Sequence, residues 1–228
     1  MSAAGGDLVL VGDSAFAEVA HEYFTAFTPW RVRAFAVEAA HLKRDTLLGL
    51  PVVPFETLAQ THPPDSHHVH VAIVYTQLNR LRARLVAAAA GMGYRLASFV
   101  SPRAFVAPSA RLGEHCFVFE DNVIQTGVEI GRNAVLWSGN HIGHHSRLGD
   151  HVFVSSHVVV SGLCTVGDHC FLGVNSALAD RTELGADCWV GPGSVLSGAV
   201  APGQMFRAAD TAPSRVGTRR FFRLGDAP

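Results

Sequence analysis

The chain has 228 residues, 48% hydrophobic and 16% charged, with a formal net charge of −1. That length serves one large domain or two small ones with a sizeable core, and the charge balance gives no footprint for nucleic acid or an anionic membrane. No apolar run approaches the roughly 18 residues of a bilayer span, and the start, MSAAGGDLVLVGDS, lacks a basic segment and carries Asp7, so no secretion signal is read and a cytoplasmic protein is expected.

Residues 1–100 alternate strand-like and helix-like segments. Leu8 to Val11 reads as a short buried strand, Gly12-Asp13-Ser14 as a turn and helix cap, and Ala15 to Phe27 as a helix. Arg31 to Val37 is a second strand, THPPDSHH a loop, and Val69 to Tyr75 a third strand. Leu78 to Gly91 is predicted as a helix with its arginines toward water, followed by a closing strand from Leu96 to Val100. This succession predicts a small α/β, Rossmann-like domain with a parallel sheet. The full GxGxxG pattern is missing after the first strand, so no dinucleotide cofactor is expected.

From Val106 to Leu196 every sixth residue is Val, Leu or Ile. The next position is often Gly (Gly113, Gly131, Gly143, Gly149, Gly167, Gly173, Gly185, Gly191), and the fourth after the aliphatic is mostly small. A fixed period of six is the mark of a solenoid with three short strands per turn. The aliphatic should fill the interior and the glycine should turn the corner. All four cysteines (Cys116, Cys164, Cys170, Cys188) fall in the small column, which reads them as buried small hydrophobes rather than ligands or bridges. The β-helix is predicted over 101–203, with a tail at 204–228.

Seven histidines lie in the repeat: His115, His141, His144, His145, His151, His157 and His169. Residues eighteen apart should stack about 4.8 Å apart on successive coils. That places His151 over His169, His157 between Gly139 and Asn175, and His144 over Gly162. His141, His145, His151 and His169 are expected at the surface or an interface.

The hexads, with VGDSAFAEVAHEYF, NHIGHHSRLGD and CFLGVNSAL, resemble the hexapeptide-repeat sugar acetyltransferases related to sialic acid O-acetyltransferases and to nucleotide-4-amino-sugar N-acetyltransferases. The resemblance implies a left-handed parallel β-helix, a homotrimer with active sites between subunits, and acetyl-CoA as co-substrate. It implies His144 as general base and the Gly162 amide as donor to the thioester oxygen, the two groups that acyl transfer needs. It also implies Gly173, Val174, Asn175 and Gly191 along the CoA. Gly12, Asp13 and Ser14 would face the nucleotide of a nucleotide-sugar, with Asn79 and Arg80 matching nearby. The tail arginines, Arg215, Arg219, Arg220 and Arg223, are either a CoA phosphate site or a solvated end. The sequence departs from its relatives at His145, where they often carry a carboxylate that orients the base; Asp150, Glu129 or a neighbouring subunit stand as candidates for that duty. Phe153 stands where some relatives have a cofactor-contacting histidine, a role His157 could fill. The γ-class carbonic anhydrases share the coil, but their zinc ligands include two histidines five residues apart, a spacing absent here, so no metal is expected. N-acetylation of a nucleotide-linked amino sugar is the leading expectation; sialic-acid-type O-acetylation and a non-catalytic nucleotide-sugar-binding trimer are the alternatives.

Overall fold

The computed structural model describes residues 5–209 and 212–223. The first four residues of the N-terminus, and residues 210–211 and 224–228 of the predicted tail, lie outside the described residues. The first half is one sheet of strands β1 (Asp7–Val11), β2 (Arg31–Val37), β3 (Thr46–Leu47), β4 (Leu50–Pro54), β5 (His67–Val71) and β6 (Arg95–Leu96). Their order is β3-β4-β2-β1-β5-β6, parallel throughout except for the β3–β4 hairpin. Helices α1 (Ala15–Phe27), α2 (Leu58–Thr61) and α3 (Arg80–Gly91) complete it.

β1, α1 and β2 lie where the apolar pattern places them. The third strand differs: it begins at His67, inside the predicted loop, and ends at Val71, because its partner β1 is only five residues long and pairs Asp7 with His67 through Val11 with Val71. α3 begins at Arg80 rather than Leu78, since Gln77, Leu78 and Asn79 have φ of 52°, 49° and 67°, which a right-handed helix excludes. The closing strand divides. Arg95–Leu96 pairs with β5, while Phe99–Val100 pairs with Phe117–Val118 and so opens the second half.

That second half is a parallel β-helix of two-residue strands on three faces. The first face runs from Phe99–Val100 to Met205–Phe206, the second from Phe105–Val106 to Val195–Leu196, the third from Arg111–Leu112 to Ala199–Val200. In each strand one residue points in and one out, the period of two that any strand imposes. The inward aliphatics form one continuous core from Val118 to Leu196, with all four cysteines buried and unbridged within it. Burial raises the thiols of Cys116, Cys164 and Cys170, the last to about 12, so these three stay protonated and inert.

The corner chemistry corrects one expectation. The glycine after each aliphatic does not turn the chain. Every sixth residue from His115 to Gly193 does, three positions after the aliphatic, each with φ between 55° and 76°. His, Asn and Asp dominate that column, with glycine at only three positions; Asn, Asp and His enter the left-handed region more readily than most side chains. The glycines after the aliphatic serve close approach instead. A Cβ on Gly113, Gly131 or Gly167 would lie 2.4–2.5 Å from the nearest atom of the next coil.

The first half packs on the first face. Phe16 meets Phe117 edge-on at 5.5 Å and Phe24 meets Phe99 at 5.6 Å, while Phe119 stacks on Trp137 at 4.5 Å. At the edge between first and second faces, Tyr23 donates to Glu120 Oε2 (2.8 Å). At the edge between third and first faces, Asn79 donates to the His169 and Cys170 carbonyls, and Arg80 pairs with Asp187 at 2.8 Å. Arg82 enters the same edge and is fully buried, contrary to the expectation of helix arginines facing water. His115 is buried too, accepting from the Val71 N–H at Nε2 and stacked on His70 at 4.3 Å. His151 stacks on His169 at 4.6 Å in the same seam, so these two sit at an interface within the chain.

Burial lowers His70 to about 4 and holds His115 well below its usual value. A histidine whose folded value is depressed contributes stability above about pH 6.5, and loses it as the pH falls toward the folded value, because the unfolded chain binds the extra proton. For His70 alone the loss at pH 5 is ~2 kcal/mol. The melting temperature is therefore expected to fall by several degrees between pH 7 and pH 5, and His70→Phe should flatten that slope. A pH-independent melting curve over this range would contradict the account.

Candidate active site

The structure brings His144 and Gly162 together. Both lie on the edge between second and third faces, on successive coils, and a Cβ on Gly162 would be only 2.7 Å from His144 Nε2. Only glycine fits under the ring. The His144 backbone is fixed on both sides: its N–H donates to Gln125 Oε1 (2.8 Å) and its carbonyl accepts from Leu163 (2.9 Å). The ring itself is exposed. His145, at φ 57°, turns the same corner, and its Nδ1 lies 3.2 Å from His144 Nδ1. A Cβ on Gly127, one coil below, would be 2.8 Å from the His145 ring. The two imidazoles thus lean in opposite directions along the coil, each over a glycine.

The Gly162 N–H is not idle. It donates to Asp180 Oδ1 (2.8 Å) from the following coil. A thioester oxygen can take this donor only after the Asp180 carboxylate turns away, a coupling the sequence reading missed. Asp180 stands eighteen residues after Gly162, and the same stacking rule would have found it.

Neither carboxylate considered for His144 takes that part here. Asp150 sits on the edge between third and first faces, accepting from the Arg132 N–H and pairing with its guanidinium at 2.9 Å. Glu129 lies on the third face, 3.6 Å from Arg147. Gly173, Val174, Asn175 and Gly191 are together, but on the edge between first and second faces. Val174 and Asn175 are exposed there, and Gly173 and Gly191 hydrogen-bond to the coil above. His157 lies on that edge as well, its ring over Gly139. Phe153 stacks with Phe171 under Tyr75 and faces the first half.

Gly12 holds φ 123° and is buried so tightly that a Cβ would meet the Ala72 carbonyl oxygen at 2.8 Å. Asp13 pairs with Arg44 at 3.5 Å. Ser14 precedes α1 without a side-chain cap bond, leaving its hydroxyl at the exposed helix start. Asn79 and Arg80 are spent on docking. Arg219 and Arg220 lie on the short helix α4 (Thr218–Phe221), exposed like Arg215 and Arg223. Among the described residues, no group of three or more His, Cys, Asp or Glu side chains converges as a metal site requires, and no helix is long and apolar enough to cross a membrane.

The repeats match two family descriptions, bacterial transferase hexapeptide (six repeats) over residues 127–162 and hexapeptide repeat of succinyl-transferase over residues 164–197. No curated protein sequence matches the chain. Among solved structures it is similar to a variant of perosamine N-acetyltransferase from Caulobacter crescentus in complex with CoA and GDP-perosamine. The identity is 28% and the TM-score 0.78, covering 88% of this chain and 92% of that one. It shares its fold with the acetyltransferase domain of PglB from Neisseria gonorrhoeae at 22% identity and a TM-score of 0.78, covering 87% of this chain and 95% of that one. The same domain in complex with acetyl coenzyme A matches at 22% identity and a TM-score of 0.79, over 89% of this chain and 96% of that one. With hexads matched from 127 to 197 and a shared fold over most of its length, the chain is a hexapeptide-repeat acyltransferase.

Proposed function

We propose that the protein is a trimeric N-acetyltransferase that moves the acetyl group of acetyl-CoA to the amine of a nucleotide-linked amino sugar. The observation that carries this is His144 Nε2 standing over Gly162 on an exposed edge. The neutral amine attacks the thioester carbon. The C–N bond forms, the C–S bond breaks, and the amine proton passes to His144 Nε2. The Gly162 N–H, released by Asp180, stabilises the oxygen that gains charge. Support for this substrate class comes from the 28% identical perosamine N-acetyltransferase, which was solved with CoA and GDP-perosamine.

The positions of the pieces support the trimer. A triangular coil has three edges, and the first half covers one face and its two flanking edges. His144 occupies the third edge, opposite. The residues expected along CoA, Gly173 to Asn175 and Gly191, lie on the flanking edge between first and second faces, where Val174 and Asn175 stay exposed. A complete site therefore needs the edge of one copy beside the edge and N-terminal unit of another. The second face favours such packing: Phe105, Val123, Val159 and Val195, 36–75% exposed in the single chain, form an outward row with Ala177, interrupted by His141. An exposed apolar row of this kind marks an association surface. We take the coil as left-handed, the residues before Phe99 as the acceptor-binding unit, Phe99 to Phe206 as the transferase coil, slightly wider than the 101–203 expected, and the remainder as a tail, in a cytoplasmic enzyme. In the acceptor unit, Gly12, Asp13 and Ser14 at the start of α1 offer the N–H groups that suit a phosphate.

A thiol-release assay with acetyl-CoA tests the function against GDP- and UDP-linked 4-amino sugars, with free sialic acid as the hydroxyl acceptor. Turnover on an amino sugar supports the reading; turnover on sialic acid alone replaces it with O-acetylation. Val159→Asp tests the assembly. Burying a charge in the apolar row should shift the mass in solution from trimer to monomer and cut turnover at least tenfold. A fully active monomer would contradict the shared site.

A further inference from the structure

We infer that His145 is the positioning residue of the active site, the acceptor that fixes the tautomer of His144 where its relatives use a carboxylate. The inference rests on His144 as the base but concerns a different residue. For His144 Nε2 to take a proton, its Nδ1 must carry the hydrogen, and that hydrogen needs an acceptor. Asp150 and Glu129 are engaged with arginines elsewhere, and Gln125 Oε1 accepts from the His144 backbone N–H. His145 Nδ1, 3.2 Å from His144 Nδ1, is the acceptor that His144 meets.

The backbone makes this geometry specific. His145 holds the left-handed corner at φ 57°, which throws its ring back beside its neighbour's. Gly127 lies directly beneath: a Cβ there would be 2.8 Å from Cδ2 and 3.1 Å from Nε2 of His145. Gly127 and Gly162 therefore seat the two rings from opposite sides. With His145 Nδ1 as acceptor, its Nε2 carries the hydrogen and lies in an exposed side chain. When the amine proton arrives on His144 Nε2, the Nδ1 proton of His144 can shift to His145 Nδ1 while His145 Nε2 gives its own to water. The charge then leaves the site without a carboxylate, and the pair, neutral but in the opposite tautomers, is reset by proton exchange with water.

The test compares His145→Ala, His145→Asn and His145→Glu by thiol release across pH 5–9, with His144→Ala as the reference. Asn tolerates the left-handed corner and keeps a carbonyl acceptor. The expected result is a roughly tenfold lower kcat in His145→Ala with KM for acetyl-CoA within twofold, and recovery of most of that loss in His145→Asn. In His145→Glu the acid limb of the pH profile should move up by about one unit, because a carboxylate stabilises the protonated ring. A purely structural role would not move that limb. Gly127→Ala, which displaces the His145 ring without altering either histidine, should lower kcat in the same way. Wild-type kcat in His145→Ala, or equal loss in the Ala and Asn variants with an unmoved limb for Glu, would overturn the inference. If His144→Ala itself keeps full activity, the base assignment fails instead, and the two failures are distinct.

Discussion

Replacing His144 by Ala is expected to lower kcat/KM by ~10²–10⁴-fold, the usual worth of a positioned general base, while mass in solution and melting temperature stay unchanged. The second half of this expectation follows from exposure. The ring covers no core, and the backbone bonds of the residue, to Gln125 and from Leu163, survive truncation at Cβ. A residual rate should remain, because holding amine and thioester together contributes apart from proton transfer. Gly162→Ala should be as harmful by a different route, since its methyl would sit 2.7 Å from the His144 Nε2 position. The measurement is thiol release under saturating acetyl-CoA, with the acceptor varied. Turnover within threefold of wild type in His144→Ala would remove it as the base.

Much of this site was legible because a six-residue period makes space from sequence. Eighteen residues is one turn, so His144 over Gly162, His151 over His169 and His157 over Gly139 could be read before any coordinate, and each stands so. The same arithmetic reaches Asp180 over Gly162 and Gly127 under His145, which the sequence reading did not take up. What the period hid was the direction of the corner. Its glycine column looked like the turning residue, but glycine there answers the neighbouring coil's backbone. The true left-handed position is filled by His, Asn and Asp, residues that the same sequence offers equally as ligands or bases. That ambiguity explains why so many histidines gather in one column: the corner tolerates them, and only His145 among them touches His144.

The first half was less legible because its decisive residues serve the interface between halves. Asn79 and Arg80 look like ligand residues at a helix start, yet Asn79 is wholly buried against coil carbonyls and Arg80 pairs with Asp187. The β3–β4 hairpin carried only a faint signal, Leu48-Gly49, both with positive φ. His115 could not be distinguished from the other corner histidines, because its burial comes from β5 and not from its own repeat.

Replacing Arg82 by Ala is expected to destabilise the protein by ~3–5 kcal/mol, the cost of leaving several buried carbonyl and amide oxygens without a donor, which corresponds to a melting temperature lower by about 10 °C. Arg82 is 0% exposed and touches no carboxylate. Its guanidinium is instead surrounded by oxygens: Nε to Asn133 Oδ1 at 3.1 Å, Nη1 to Asn79 Oδ1 and the Ile73 and Val74 carbonyls, and Nη2 to the Asn133 and His151 carbonyls at 3.1 and 3.2 Å. Phe153 lies 5.8 Å below the cation. Burial pulls it down to about 9, still charged at neutral pH. One side chain thus satisfies acceptors from the first half and from two coils at once, which a planar fork of five donors allows and an ammonium does not. Arg82→Lys should therefore lose more than half of the same stability, although it keeps the charge. The sequence held the clue: Arg82, Leu85, Val86 and Ala89 share one stripe of α3 at helical spacing, and all four are buried. Since the loss falls on the contact between halves, limited proteolysis of Arg82→Ala should cleave the N-terminal unit before the coil. An Arg82→Ala protein that melts within 1–2 °C of wild type, an effect of under ~1 kcal/mol, would show that the halves are held by the aromatic face alone.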